Sequence, residues 1–182
     1  YRKALSYIHQ KHSQIEIVPE TIRKLHSLAQ GGMIADAGKW KVRENDIIKI
    51  SPQGDRKIRF KPTSAAETPK AVEQLCLGYA DVTQNSKLPE LISIGNFVFD
   101  FLCIHPFRDG NGRASRLLLL LTTYQLGYEV GRYISLERII EQNVSRYYET
   151  LKLSSTGWHE GRHDPWPYIN FLLFILKSAY KE

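Results

Sequence analysis

Five consecutive leucines, Leu117 to Leu121, constrain this chain more than any other feature, because a helix carrying them has an apolar side chain on every side. Such a helix has to be surrounded. The pattern from Arg113 to Leu126 reads as a central spine, and the almost wholly apolar run ending at Ile104 reads as a second buried helix beside it. Wrapping helices are signalled as well. Pro19, followed by Glu20 and Thr21, opens a helix with Ile22, Leu25 and Leu28 on one face and Gly31-Gly32 as its stop. Tyr1 to about Lys11 forms a shorter helix before it. Thr68-Pro69 and Leu88-Pro89 open helices running to about Asn85 and Ile104. Ser135 is placed to cap a helix whose Leu136, Ile139, Ile140, Val144, Tyr147, Tyr148 and Leu151 make one buried stripe, and a last helix follows Pro165 and Pro167.

The exception lies between Ile47 and Phe60. Ile48 and Ile50 alternate before Ser51-Pro52-Gln53-Gly54-Asp55, and Ile58 and Phe60 alternate after it, which predicts a β-hairpin. A lone hairpin is marginally stable, so it must lean on the helices or gain stability from a ligand. The expected fold class is all-α, a helical bundle with a small β-hairpin, in one domain over residues 1–182.

Composition agrees and excludes some classes. The chain of 182 residues is 42% hydrophobic and 24% charged, globular proportions with enough length for one continuous core. The Leu run and the stretch Phe171 to Leu176 are far shorter than the roughly 20 apolar residues of a membrane span. The opening Tyr1-Arg2-Lys3-Ala4-Leu5 has neither an initiator Met nor an apolar signal segment, so the expectation is a fragment of a longer chain. Cys76 and Cys103 lie far apart in apolar helical pattern, which suits core thiols in a reducing, cytoplasmic compartment. A formal charge of +6 favours an anionic partner. The basic residues are scattered, with Arg56-Lys57-Ile58-Arg59 and Arg2-Lys3 the densest clusters, so charge alone does not choose between nucleotide and nucleic acid.

Between the two buried helices lies a polar stretch, His105-Pro106-Phe107-Arg108-Asp109-Gly110-Asn111-Gly112-Arg113, that core packing does not require. Glycines just before a helix let a ligand approach the backbone, and the free N–H groups and dipole of the helix start attract anions. Arg113 and Arg116 in the first turn would be disfavoured by that dipole unless an anion offsets them. Asp109 offers the hard oxygen that Mg²⁺ takes alongside substrate phosphates. His105 could accept a proton near neutral pH. A base, a magnesium carboxylate and a phosphate cradle are what phosphoryl or nucleotidyl transfer needs. Taken singly, each residue has an ordinary reading as a structural His, a turn or a solvated Arg; their coincidence in one loop is the signal.

The segment His105 to Arg113 resembles in full the signature of Fic proteins, His-Pro-Phe-x-Asp-Gly-Asn-Gly-Arg. Gly38-Lys39-Trp40-Lys41 is similar to the family's approach to its flap, and Gly157-Trp158-His159-Glu160-Gly161 with Asp164-Pro165-Trp166 to its C-terminal region. The resemblance implies a protein adenylyltransferase using ATP and Mg²⁺. His105 would deprotonate a Ser, Thr or Tyr hydroxyl of a target protein, which attacks the α-phosphate and displaces pyrophosphate. Asp109 would hold Mg²⁺, and Gly110, Asn111, Gly112, Arg113, Ala114, Ser115 and Arg116 would surround the phosphates. Phe107 would be a core anchor. Gly112 matches the AMP-transferring branch rather than relatives with Asn-Lys-Arg. By the same resemblance, residues 41–60 form the flap, whose exposed edge aligns the target by strand addition through Ile47, Ile48 and Lys49. For any single isoleucine the other reading is that it packs the hairpin onto the helices.

Tyr147 and Tyr148 match tyrosines bordering the family's adenine pocket, though both also fall on the buried stripe. Trp158, Trp166 and His163 read as structural. Many relatives carry an inhibitory helix whose Glu engages the second motif arginine, here Arg116. Thr156 to Gly161 fits that pattern literally and is read as coincidence; the expectation is an inhibitory motif before Tyr1. Partners consistent with this picture are the target protein, self-modification, a homodimer, and DNA only through a domain outside 1–182, with no membrane. Alternatives at the same site are removal of AMP, another diphosphate donor, or a non-catalytic phosphate- or DNA-binding module.

Overall fold

A computed structural model of the chain describes residues 1–31, 35–51 and 53–182. Eight α-helices and one hairpin appear among them: α1 Arg2–Lys11, α2 Pro19–Gln30, β1 Ile47–Ile50, β2 Arg56–Phe60, α3 Thr68–Asn85, α4 Glu90–Ile104, α5 Asn111–Gln125, α6 Leu136–Gln142, α7 Val144–Ser155 and α8 Trp166–Ala179. The helical bundle with a small antiparallel hairpin expected from the sequence is the fold observed. Prolines mark three helix starts as anticipated: Pro19 begins α2, Pro69 is second in α3, and Pro89 caps α4. Gly31 ends α2 in the left-handed region with φ 71°, while Gly32 of the expected stop lies outside the described residues.

α5 is the spine. All of Leu117 to Leu121 are buried, and the helix packs against α4 and α2; α4 in turn packs on α3 and α8, and α8 on α7. Cys76 and Cys103 are buried free thiols in this core. Among the described residues no helix is long and apolar enough to cross a membrane.

Three expectations are corrected. α5 begins at Asn111, two residues before Arg113, because Gly110 takes φ 81° and reverses the chain one step ahead of the helix; Arg116 therefore falls in the second turn. The helix expected after Ser135 is two helices. Ser135 does cap the first, its hydroxyl accepting from Arg138 N at 3.2 Å. At Asn143 the side-chain Nδ2 donates to Ile139 O at 2.8 Å, the carbonyl its own N–H would have used, and that N–H turns to Ile140 O at 3.1 Å. The change of phase leaves Val144 and Tyr148 exposed, while Tyr147 stays buried. Finally, paired strands start at Ile47, so residues 41–46 of the expected flap are not hairpin.

The hairpin pairs Ile48 with Ile58 and Ile47 with Phe60, which leaves Arg59 as the extra residue of a β-bulge. The Ser51 to Asp55 turn closes with Ser51 N donating to Asp55 O at 2.9 Å; Pro52 lies outside the described residues. Ile48, Ile50 and Ile58 are exposed, so these isoleucines do not pin the hairpin to the bundle.

Candidate active site

The loop joining α4 to α5 starts at a backbone irregularity. His105 follows the last residue of α4 with φ 51°, and it is the one non-glycine residue with positive φ among those described. Its Nδ1 lies 3.2 Å from Leu102 O, and since a carbonyl only accepts, Nδ1 carries the proton and Nε2 keeps a lone pair. Burial pushes the imidazole pKa down to about 4, and the Lys41 cation acts in the same direction, against the Leu102 carbonyl and Asp109. His105 is thus neutral at pH 7.

The loop is anchored from below. Phe107 is fully buried and stacks face to face on His26 of α2, ring centroids 3.7 Å apart, with Trp40 at 5.1 Å. His26 Nδ1 accepts from Gly38 N at 2.9 Å and its Nε2 donates to Asp109 O at 2.8 Å, so both ring nitrogens are committed in the neutral form. Burial lowers its pKa accordingly. Gly110 lies against the same brace: a Cβ there would meet Gln30 Nε2 at 2.5 Å and His26 Nε2 at 3.1 Å. The one clue to His26 in the chain is its place directly after Leu25 on the buried side of α2.

Asn111, taken from the signature as a phosphate contact, spends its amide otherwise. Its Oδ1 accepts from Phe107 N at 2.9 Å and its Nδ2 donates to Phe107 O at 2.7 Å, closing the loop on itself. Ser115 likewise donates its hydroxyl to Gly112 O at 2.8 Å, and Ala114 is buried with its N–H on Gly110 O. Besides the Arg113 guanidinium, what residues 111–113 offer a ligand is backbone: as the first residues of α5, their N–H groups have no intrahelical acceptor. Arg113 faces Asp109 across 3.5 Å, with the Asp109 side chain 77% exposed. Arg116 Nε donates to Glu137 Oε1 at 3.0 Å, and Glu160 lies exposed in the turn after α7.

A cavity of about 530 Å³ opens over this loop, lined by His105, Arg108, Gly112, Arg116, Tyr147 and Tyr148 among others. That is a size suited to a small organic ligand. The two tyrosines meet edge to face at 5.3 Å. Ile47 of the hairpin reaches the cavity wall, and it lines a second groove between β1 and α7 together with Ile48 and Lys49. Arg59 is a further lining residue that the sequence did not single out. The bulge turns it toward the cavity, where its guanidinium lies 5.6 Å from the Tyr148 ring and its buried Nε has no hydrogen-bond partner among the described residues. No group of three or more His, Cys, Asp or Glu able to hold a metal occurs among the described residues. A Mg²⁺ ion that shares its shell with substrate phosphates and water needs only one carboxylate, and the accessible Asp109 meets that requirement.

Comparison with known proteins places the fold among solved structures. The chain is 39% identical over 69 residues to the protein adenylyltransferase Fic of Drosophila virilis, a match that covers 38% of this chain and 12% of that one. A Fic family protein from Desulfovibrio desulfuricans shares the fold with a TM-score of 0.75 at 23% identity, over 99% of this chain and 51% of that one. The BepC effector of Bartonella tribocorum, crystallised with AMPPNP, shares it with a TM-score of 0.61 at 12% identity, over 98% of this chain and 80% of that one. The chain thus spans about half the length of the Desulfovibrio protein and a small part of the Drosophila one. The model of the Fic/DOC family matches residues 16–122, from before α2 to within α5 and including the whole loop, and the chain belongs to that family.

Proposed function

We propose that this domain transfers AMP from ATP to a Ser, Thr or Tyr hydroxyl of a protein. The observation that carries the reading is the meeting, on one cavity, of the unprotonated Nε2 of His105 and the amide-presenting start of α5. The names of the Drosophila relatives and the AMPPNP bound by the Bartonella protein support it.

In this reading the triphosphate rests on the N–H groups of 111–113, with Arg113 and Arg116 as counter-charges. Its negative charge raises the His105 pKa from about 4 toward neutrality, where a general base works best. The acceptor hydroxyl gives its proton to Nε2 while its oxygen bonds to the α-phosphorus. The bond from that phosphorus to the α,β-bridging oxygen breaks, and pyrophosphate leaves. Asp109 would hold Mg²⁺, which supplies charge neutralisation to the leaving group. Tyr147 and Tyr148 border the base, and Ile47, Ile48 and Lys49 present the edge of β1 to the target strand. The acceptor is a partner protein or a second copy of this chain.

Incubation with α-labelled ATP and Mg²⁺, beside His105→Ala, tests this directly. Label on protein that is lost in the variant supports transfer. No label on the chain or on any lysate protein, with AMPPNP still bound, counts against it.

A further inference from the structure

The left-handed turn at His105 needs a cause. A non-glycine residue in that region is strained and persists where its surroundings over-determine it. Here the surroundings are a segment that precedes the hairpin. Lys41 Nζ donates to Ile104 O at 3.2 Å, and Asn45 Nδ2 to His105 O at 3.0 Å. Lys41 N donates to Pro106 O at 2.9 Å, and the same Asn45 Nδ2 to Phe107 O at 2.8 Å. Four successive carbonyls, 104 to 107, are gripped by two residues, which a further bond from Lys41 Nζ to Asn45 Oδ1 at 2.8 Å ties together.

We infer that Lys41 and Asn45 are positioning residues for transfer: their clasp on carbonyls 104–107 holds the turn that aims the His105 imidazole at the cavity floored by the start of α5. This rests on the reading of His105 as the base.

Several observations converge on it. Lys41 is 5% exposed, and no carboxylate lies within ion-pair distance of it among the described residues, so a buried ammonium is retained with only an amide oxygen and a carbonyl as partners. Burial pulls its pKa down to about 8, against the attraction of Glu44 and Asp46. A cation at the end of α4 also meets the negative pole of that helix. The carbonyl of Ile104, which a helix end would leave without an acceptor's partner, is satisfied by Lys41, while Leu102 O takes the His105 ring. With the carbonyls of the loop drawn to the clasp side, the ring is left to face the cavity, which His105 and Asn45 both line.

The test compares wild type with Lys41→Met and Asn45→Ala. Lys41→Met keeps the aliphatic stem and the backbone bond to Pro106 O, so it serves even if Asn45→Ala does not fold. For each protein we would measure the folded fraction by thermal melting, AMPPNP affinity by calorimetry, the dependence of labelled AMP transfer on ATP concentration, and the His105 titration by NMR. Expected are a fall in kcat per folded molecule of roughly 10- to 100-fold, with AMPPNP affinity kept within about threefold, and a displaced His105 titration. In Lys41→Met the titration moves upward, because of the charged groups acting on His105 the cation is removed and Asp109 remains. Wild-type kcat and an unmoved titration in folded variants would overturn the inference, as would activity losses that merely track the unfolded fraction. Should wild type transfer nothing, the proposed function fails by itself, and the titration in Asn45→Ala, which removes no charge, read without substrate, still decides the clasp.

Discussion

Acid titration of stability probes His105 most directly. Its imidazole is held at about 4 in the fold, chiefly by burial, against 6.5 in an unconstrained chain. Below the latter value the unfolded chain takes up a proton that the folded protein refuses, so acid favours unfolding. The contribution of neutral His105 is complete above pH 6.5, declines as pH falls, and stops declining near pH 4 once both states are protonated. At about 1.4 kcal/mol per pH unit the full effect is about 3 kcal/mol, against a total stability on the order of 5–15 kcal/mol for a domain. His105→Asn is the suitable control, since Asn does not titrate and tolerates the left-handed backbone. Urea unfolding of both proteins from about pH 7.5 to about pH 4 should show wild type losing about 3 kcal/mol more than the variant. His26, also lowered by burial, is present in both and cancels. Curves that run parallel across the interval would show that burial does not hold the His105 pKa down, and the desolvation of its ring would be refuted.

Two other outcomes are expected. Asn111→Ala removes both bonds to Phe107 and strands the buried Phe107 N–H, which should cost about 2–4 kcal/mol in urea unfolding; a change below about 0.5 kcal/mol would mean the amide does not hold the loop. Glu137→Gln releases Arg116 from a partly exposed ion pair and should tighten AMPPNP binding by about two- to fivefold in calorimetry; unchanged or weaker binding would show that Arg116 does not face the phosphates.

Legibility in the sequence followed the range of the interaction. Pro19, Pro69 and Pro89 announced their helices because a residue without an N–H is tolerated in the first turn and nowhere deeper. The burial of Leu117 to Leu121 was equally plain. The break at Asn143 was not, since it depends on an amide side chain taking a carbonyl four residues back, a choice that stripe-counting does not register. Nor was the start of α5 at Asn111, which follows from the conformation of Gly110 rather than from the apolar period.

The candidate site divides the same way. Residues 105–113 carried their candidate chemistry in a contiguous run, so a candidate base, a candidate magnesium carboxylate and a glycine-rich approach to a helix could be named from the chain alone, though not the residue at which that helix begins. What supports them comes from elsewhere: His26 reaches Asp109 across 83 positions, and Asn45 reaches Phe107 across 62. Arg59 enters the cavity through a register shift between two strands. Local backbone rules and side-chain chemistry act within a few residues and are therefore written in the sequence. A histidine's neutral form, an amide's choice of partners and a lysine's burial are settled by atoms that only packing brings together. For this chain the sequence by itself determined the helical bundle, the hairpin and the polar loop between two buried helices, and the tertiary structure decided which residues hold that loop in place.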